Sequence, residues 1–245
     1  MNTNRIVLIT GAAGGIGTPI VQRFLANGDT VIATDTKQDV LEAWRARLPA
    51  AARIITAAGD ISSERDAARL AELVHERAGR LDVLINCAGY FPIVSFEDMN
   101  AEQWRQVIDV NLTGTFLTTH ALLPLMKQHG GRIINFSSAS IYPGVPGQTH
   151  YVAAKAGVIG FTRSLAREVG VYDITVNNVT PGLTVTQAVR DSFPAQLLQS
   201  QRDSRALHRD ENPDDLVGPV FFLASDDAAF VTGQTLNVDG GMYMH

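Results

Sequence analysis

A short β-branched run, Ile6 to Ile9, ends at Thr10-Gly11 and passes through Gly14, Gly15 and Gly17 into the amphipathic stretch Ile20 to Leu25. That order reads as strand, tight turn and helix. Glycines at such a turn let the backbone close on a bound group, and the free amides and positive dipole end of the following helix, Ile16 among them, favour a pyrophosphate. The strict G-x-G-x-x-G spacing is not kept, because Ile20 stands where a third glycine would follow Gly15 and Gly17. Pro19 fits only in the first turn of the helix, where a missing amide costs little.

The same alternation continues along the chain. Val31 to Thr34, Ile54 to Ala57, Val83 to Asn86, Ile133 to Phe136, Thr175 to Val179 and Thr235 to Val238 read as strands, with helical patterns between them. Such alternation predicts an α/β fold: a Rossmann-type, doubly wound parallel sheet of about seven strands with helices on both faces. With 245 residues, 45% hydrophobic, and no proline-rich, low-complexity or charged linker, the expectation is a single dinucleotide-binding and catalytic domain over residues 1–245.

Four side chains suggest the chemistry. Tyr151 and Lys155 lie one helical turn apart, thirteen positions beyond Ser138. A free phenol titrates near 10, so its use as a base near neutrality requires a lowering of roughly 2–3 units, or about 3–4 kcal/mol. One cation at ~4 Å supplies roughly 4 kcal/mol at an effective dielectric of ~20, and Lys155 at i+4 is placed for it. Ser138 closes the run Ile133 to Phe136 at the carboxyl edge of a strand, where ligands of open α/β sheets gather. Strand alternation sends Ser137 the other way. Asn111, inside the helical pattern Trp104 to Leu125, is a poor helix-interior residue and reads as a functional local distortion. Asp35 ends the run Val31 to Ala33 about 20 residues past the glycines, where a dinucleotide fold places the acid for the ribose hydroxyls.

These residues resemble the short-chain dehydrogenase/reductase family, and the likeness spans essentially the whole chain: TGAAGGIG, Asp60 in GDIS, NCAG at Asn86 to Gly89, Asn111 in VNLTG, Ser138, Tyr151 with Lys155, Pro181-Gly182 with Thr186, and VTGQTLNVDGG. The resemblance implies Tyr151 as acid/base, Ser138 on the substrate oxygen, Lys155 on both the phenol and the nicotinamide ribose, and Asn111 holding a water in a proton relay. It implies a cofactor site of Gly11, Gly14, Gly15, Ile16, Gly17, Asp35, Asp60, Ile61, Asn86, Ala88, Gly89, Tyr151, Lys155, Pro181, Gly182, Thr184 and Thr186. It also implies a mobile substrate lid near residues 186–212 and a homotetramer. Cys87 departs from the asparagine usual in the family's N-N-A-G and reads as a small semi-buried filler.

Substrate contact is assigned to Ser138, Ser140, Tyr142, Gln148, His150 and Leu183, with Tyr90, Phe91, Pro92, Ile141 and Phe193 as further walls of a mixed aromatic and polar pocket. The lid carries Arg190, Arg202, Arg205, His208 and Arg209 among Asp191, Asp203 and Asp210. This composition fits either an anion clamp or a solvated helix of mixed charge. The tail Met242 to His245 is expected to reach toward a neighbouring subunit's pocket.

A formal charge of −5 without basic clusters argues against nucleic acid. The apolar runs fall far short of the ~20 residues that span a bilayer, and MNTNR leads straight into the first strand, so neither membrane nor signal peptide is expected. One cysteine excludes an intrachain disulfide and points to the cytoplasm. Six histidines without metal-ligand spacing predict no metal. The reading is a cytoplasmic oxidoreductase moving a hydride between NAD and a small molecule, a secondary alcohol or cyclic hemiacetal, sugar-like or an aryl carbinol. Alternatives are a 3-oxoacyl thioester reductase, which usually prefers NADPH and against which Asp35 and the acidic balance argue, and a non-catalytic dinucleotide-sensing regulator, from which loss of the catalytic residues is expected.

Overall fold

The computed structural model describes residues 4–244. Its strands are β1 (Ile6–Thr10), β2 (Thr30–Asp35), β3 (Ile54–Ala58), β4 (Val83–Asn86), β5 (Gly131–Phe136), β6 (Ile174–Pro181) and β7 (Thr235–Val238). They form one sheet in the order β3-β2-β1-β4-β5-β6-β7, every pair parallel. The helices are α1 (Gly17–Ala26), α2 (Gln38–Arg45), α3 (Glu64–Ala78), α4 (Ala101–Ile108), α5 (Gly114–Leu122), α6 (Thr149–Val169), α7 (Gln187–Ser192), α8 (Ala195–Ser204) and α9 (Asp214–Leu223). The Rossmann-type fold expected from the alternation is the one observed.

Strand alternation builds two cores from the same strands. Val7, Ile9, Val31, Ala33, Val83 and Ile85 point to the face covered by Val21 and Phe24 of α1 and by Leu216 and Val220 of α9. Leu8, Ile32, Leu84, Ile133 and Val176 point to the other face, against Leu70 and Val74 of α3, Leu122 of α5 and Val169 of α6. Burial on both sides explains why these strands read as continuous apolar runs. Pro19 falls in the first turn of α1, where its missing amide belongs to the unsatisfied set.

The sheet changes direction between β1 and β4, so their carboxyl ends border the crevice where ligands of such sheets bind. The crossing is tightly closed. The amides of Cys87 and Ala88 both donate to Thr10 Oγ1 at 3.1 Å. Gly11 has φ +65°, and a Cβ there would lie 2.9 Å from the Ala88 Cα, so conformation and close approach both require glycine.

A buried polar ladder lies under the same edge. Asn86, Asn135 and Asn178 are register neighbours on β4, β5 and β6. Asn86 Nδ2 donates to Asn135 Oδ1 at 2.8 Å and to Thr119 Oγ1 at 3.0 Å. Asn135 Nδ2 donates to Thr162 Oγ1 at 2.8 Å, which donates to Asn178 Oδ1 at 2.9 Å. The ladder ties three strands to α5 and α6, the helix that carries Tyr151 and Lys155. Asn86, assigned from the sequence to the cofactor site, engages its side-chain amide in this ladder, and Asn135 and Asn178 are legible in sequence only as polar residues inside apolar runs.

Candidate active site

The glycine turn presents a helix end prepared for an anion. α1 has no side-chain cap and no acidic residue in its first turn, and of its first amides that of Thr18 donates to the Gly14 carbonyl at 3.0 Å, which leaves the positive end of the helix without a charged partner. Asp35 stands at the edge of this turn: its Oδ2 accepts from the Ala13 amide at 3.2 Å and its Oδ1 from the Thr36 amide at 2.8 Å. Asp60 and Ile61 line a cleft with Thr34, Gln38 and Ala57 at the carboxyl ends of β2 and β3. Glycine-lined backbone, free amides and an oriented carboxylate together fit a dinucleotide.

The helical pattern predicted from Trp104 to Leu125 is broken by a π-helical turn over Asp109–Thr113. The cause is Asn111, fully buried, whose Nδ2 donates to the Val107 carbonyl at 2.9 Å and so competes for the acceptor four residues back. The same nitrogen donates to the Tyr90 carbonyl at 2.7 Å, and Oδ1 accepts from the Tyr90 amide at 3.2 Å. Asn111 thereby pins the loop after β4. A Cβ at Gly89 would lie 3.1 Å from Asn111 Oδ1 and 3.6 Å from Lys155 Nζ, so Asn111 and Lys155 converge across a residue that has no side chain to part them.

Ser138 and Ser137 diverge as alternation requires. Ser137 is buried and donates to the Lys155 carbonyl at 2.7 Å, steadying α6, while Ser138 hydrogen-bonds the Tyr151 phenol. Lys155 is buried, and its Nζ donates to the Phe136 carbonyl at 2.9 Å and lies 5.7 Å from the Tyr151 ring centre. The expected lowering of the phenol by Lys155 is not found. Burial pushes Tyr151 up to about 12, opposed only by the Ser138 hydrogen bond. Burial likewise pushes Lys155 down to about 8, opposed by the nearby Cys87 thiol. The lysine Nζ is anchored on the Phe136 carbonyl beside the Tyr151 ring, and burial of the phenol outweighs the lowering that the i+4 spacing suggests. Cys87 is pushed up to about 12, which leaves it an inert thiol at neutral pH.

Several assigned contacts resolve differently. His150 exposes no surface, its Nδ1 accepts from the Tyr151 amide at 2.9 Å, and burial lowers its pKa, so it is a neutral packing neighbour rather than a substrate contact. Thr184 is buried with its hydroxyl donated to Glu211 at 2.6 Å, and so is unavailable to a cofactor. Leu183 and Phe193 pack on a small core of Val185, Val189 and Leu198 inside the lid segment. Thr186 caps α7 and sits so close to the glycine turn that a Cβ at Gly15 would lie 2.6 Å from its methyl group. Ser140 donates its amide to Ser138 Oγ, and Gln148 precedes α6 as a buried residue.

Aromatic side chains do gather at the site. The rings of Phe91 and Tyr151 are 6.2 Å apart, and those of Tyr142 and Tyr243 are 5.8 Å apart. Tyr243 was not foreseen as part of the pocket. The tail backbone is held on its own chain as far as Tyr243, where Asp239 accepts from the amides of Gly241, Met242 and Tyr243 and Asn237 Nδ2 donates to the Tyr243 carbonyl, while Met244 is exposed. His245 lies outside the described residues. The lid arginines are paired, Arg190 and Arg202 with Asp210, Arg205 with Glu211 and Arg209 with Asp215, so no anion clamp stands ready. Among the described residues no group of His, Cys, Asp and Glu is placed to hold a metal, and no helix is long and apolar enough to cross a membrane.

Comparison with known proteins agrees with this geometry. Residues 11–243 match a family model described as enoyl-(acyl carrier protein) reductase. The chain is 37% identical to an acetoacetyl-CoA reductase of Allochromatium vinosum, with 98% of this chain and 99% of the relative covered. It is 38% identical to a 3-oxoacyl-[acyl-carrier-protein] reductase of Synechocystis, with 99% and 98% covered. A solved short-chain dehydrogenase/reductase of Brucella melitensis, titled glucose/ribitol dehydrogenase, superposes with a TM-score of 0.94 at 34% identity over 99% of this chain and 98% of its own. A match of this length, with Ser138, Tyr151 and Lys155 brought together at the sheet edge, makes the chain a member of the short-chain dehydrogenase/reductase family of oxidoreductases.

Proposed function

We propose that the chain reduces the ketone of a 3-oxoacyl thioester with NADH, Tyr151 donating the proton. The arrangement that supports this reading is the Tyr151 phenol set beside the Ser138 hydroxyl at the carboxyl end of β5, where burial favours the protonated phenol. A protonated phenol gives a proton to oxygen as negative charge develops there, whereas oxidation would ask the same group to accept one. The names of the relatives supply the substrate class. They favour it over the alcohol or hemiacetal that the sequence suggested.

The dinucleotide, when bound, supplies the hydride. In this reading the amides of Gly15 to Gly17 hold the pyrophosphate, Asp35 takes the adenosine ribose hydroxyls, and Asp60 and Ile61 border the adenine. Ser138 and Tyr151 hold the carbonyl oxygen, and Lys155, placed between Tyr151, the Phe136 carbonyl and Gly89, replaces the proton that Tyr151 gives up. Asn111 keeps the Tyr90 loop and Gly89 fixed while this happens.

A second reading, NAD-dependent oxidation of a secondary aryl carbinol, is favoured by the aromatic rim and by the ion pairs that already engage Arg190, Arg202, Arg205 and Arg209 of the lid. The test measures kcat/KM for acetoacetyl-CoA with NADH and with NADPH, and for 1-arylethanols with NAD. The first reading expects acetoacetyl-CoA to be turned over at the higher kcat/KM. Preference for the carbinol would replace it with the second, and turnover of neither would overturn both.

A further inference from the structure

One buried charge pair lies outside the catalytic group and yet is built into the loop that faces the glycine turn. Glu211 and Arg205 have side chains 4% and 1% exposed, deeper than any other lid ion pair, with Arg205 Nη2 3.6 Å from Glu211 Oε2. Ionisable groups are not desolvated this far without partners. Apart from each other, the two side chains find every hydrogen-bond partner but one on the segment Gly182 to Val185. The Gly182 amide donates to Glu211 Oε2 at 3.0 Å and the Thr184 hydroxyl to Oε1 at 2.6 Å. The Val185 amide donates to the Glu211 carbonyl at 2.7 Å, closing a short parallel bridge between Thr184 and Glu211. Arg205 Nη2 donates to the Leu183 carbonyl at 3.0 Å, and only its Nη1 turns elsewhere, to Arg209. Gly182 has to be glycine here, because a Cβ would lie 2.6 Å from Glu211 Oε2.

The segment so held ends at Thr186, whose side chain lies against Gly15 and caps α7. We propose that the Arg205–Glu211 pair is the positioning element for dinucleotide binding, setting the height of the 182–186 loop over the glycine turn. Glu211 touches neither the reacting atoms nor the dinucleotide. It acts through Gly182 and Thr184, and Arg205 supplies the counter-charge that lets a carboxylate sit there. The inference rests on the dinucleotide reading of the glycine turn.

The test is NADH and NADPH affinity by protein-to-nucleotide fluorescence transfer, with hydrogen exchange of the Gly182 to Val185 amides. Glu211→Leu is expected to weaken binding at least tenfold and to speed exchange at these amides, raising KM for the dinucleotide more than it lowers kcat. Glu211→Gln keeps an acceptor for the Gly182 amide and lets the Thr184 hydroxyl accept from the new amide, but it removes the charge that faces Arg205, so an intermediate loss is expected. Arg202→Ala, which removes an outer lid pair, should bind as wild type. If Glu211→Leu fails to fold, Arg205→Met with Glu211→Leu removes both buried charges together and preserves the packing. It should fold and still bind at least tenfold more weakly. Wild-type affinity in a folded double variant would overturn the positioning role alone, while absence of binding by wild type to either dinucleotide would overturn the reading beneath it.

Discussion

Asp35 makes cofactor choice calculable. Both its oxygens are held, by the Ala13 amide at 3.2 Å and the Thr36 amide at 2.8 Å, so the charge is fixed in direction. A 2′-phosphate, with about −1.5 to −2 charges near neutrality, must meet that carboxylate or displace it. Meeting a single like charge at ~4 Å costs roughly 4 kcal/mol at an effective dielectric of ~20. Displacing it forfeits hydrogen bonds to a charged group at about 1.5–3 kcal/mol each. The easier route sets the discrimination, and Asp35 is only half-buried, so salt lowers it further. The expected preference for NADH over NADPH is therefore one to three decades in kcat/KM, at about 1.4 kcal/mol per decade. Asp35→Ala with Thr36→Arg removes the repulsion and offers a guanidinium fork, and should reverse the preference. Steady-state kinetics with both cofactors and one ketone decide the matter. Comparable kcat/KM values in the wild type would show that the carboxylate does not face the ribose.

Tyr151→Phe keeps the ring but removes the proton donor, so turnover should fall by about 10²–10⁴ while dinucleotide affinity, measured by fluorescence, is retained. Because burial lowers Lys155 to about 8, ketone reduction should decline as pH rises through that value; Lys155→Met should lack this limb in whatever activity remains. Burial of the same lysine leaves the unfolded chain holding the extra proton between about 8 and 10.5, so its contribution to stability, followed by denaturant titration, should rise with pH across that window. Asn135→Ala deprives Asn86 Nδ2 and Thr162 Oγ1 of one partner each in a buried ladder, costing roughly 2–4 kcal/mol and lowering the melting midpoint by about 5–15 °C; a fall under 2 °C would refute the ladder's role. The exposed Trp104 and Phe116 beside the site helices favour a homotetramer, and light scattering should report a particle four times the 26.4 kDa chain rather than the monomer.

Local rules were enough for much of this protein. Period-2 burial on both faces wrote the strands as apolar runs, glycines marked the turn after β1, and Asn111 announced a disturbed helix because its amide competes with the backbone wherever a helix places it. What the chain order could not carry was anything decided by desolvation or by distant partners. That Lys155 is anchored on the Phe136 carbonyl depends on how α6 sits over β5, and burial there outweighed the attraction that an i+4 spacing suggested. His150 and Thr184 read as site residues by position but were claimed by the Tyr151 amide and by Glu211. Arg205 read as a lid charge, either clamp or solvated, Glu211 carried no signal at all, and Tyr243 read as tail. A charge six residues from its partner looks the same in sequence whether water or protein surrounds it, and only the folded lid, closing over both, decides which.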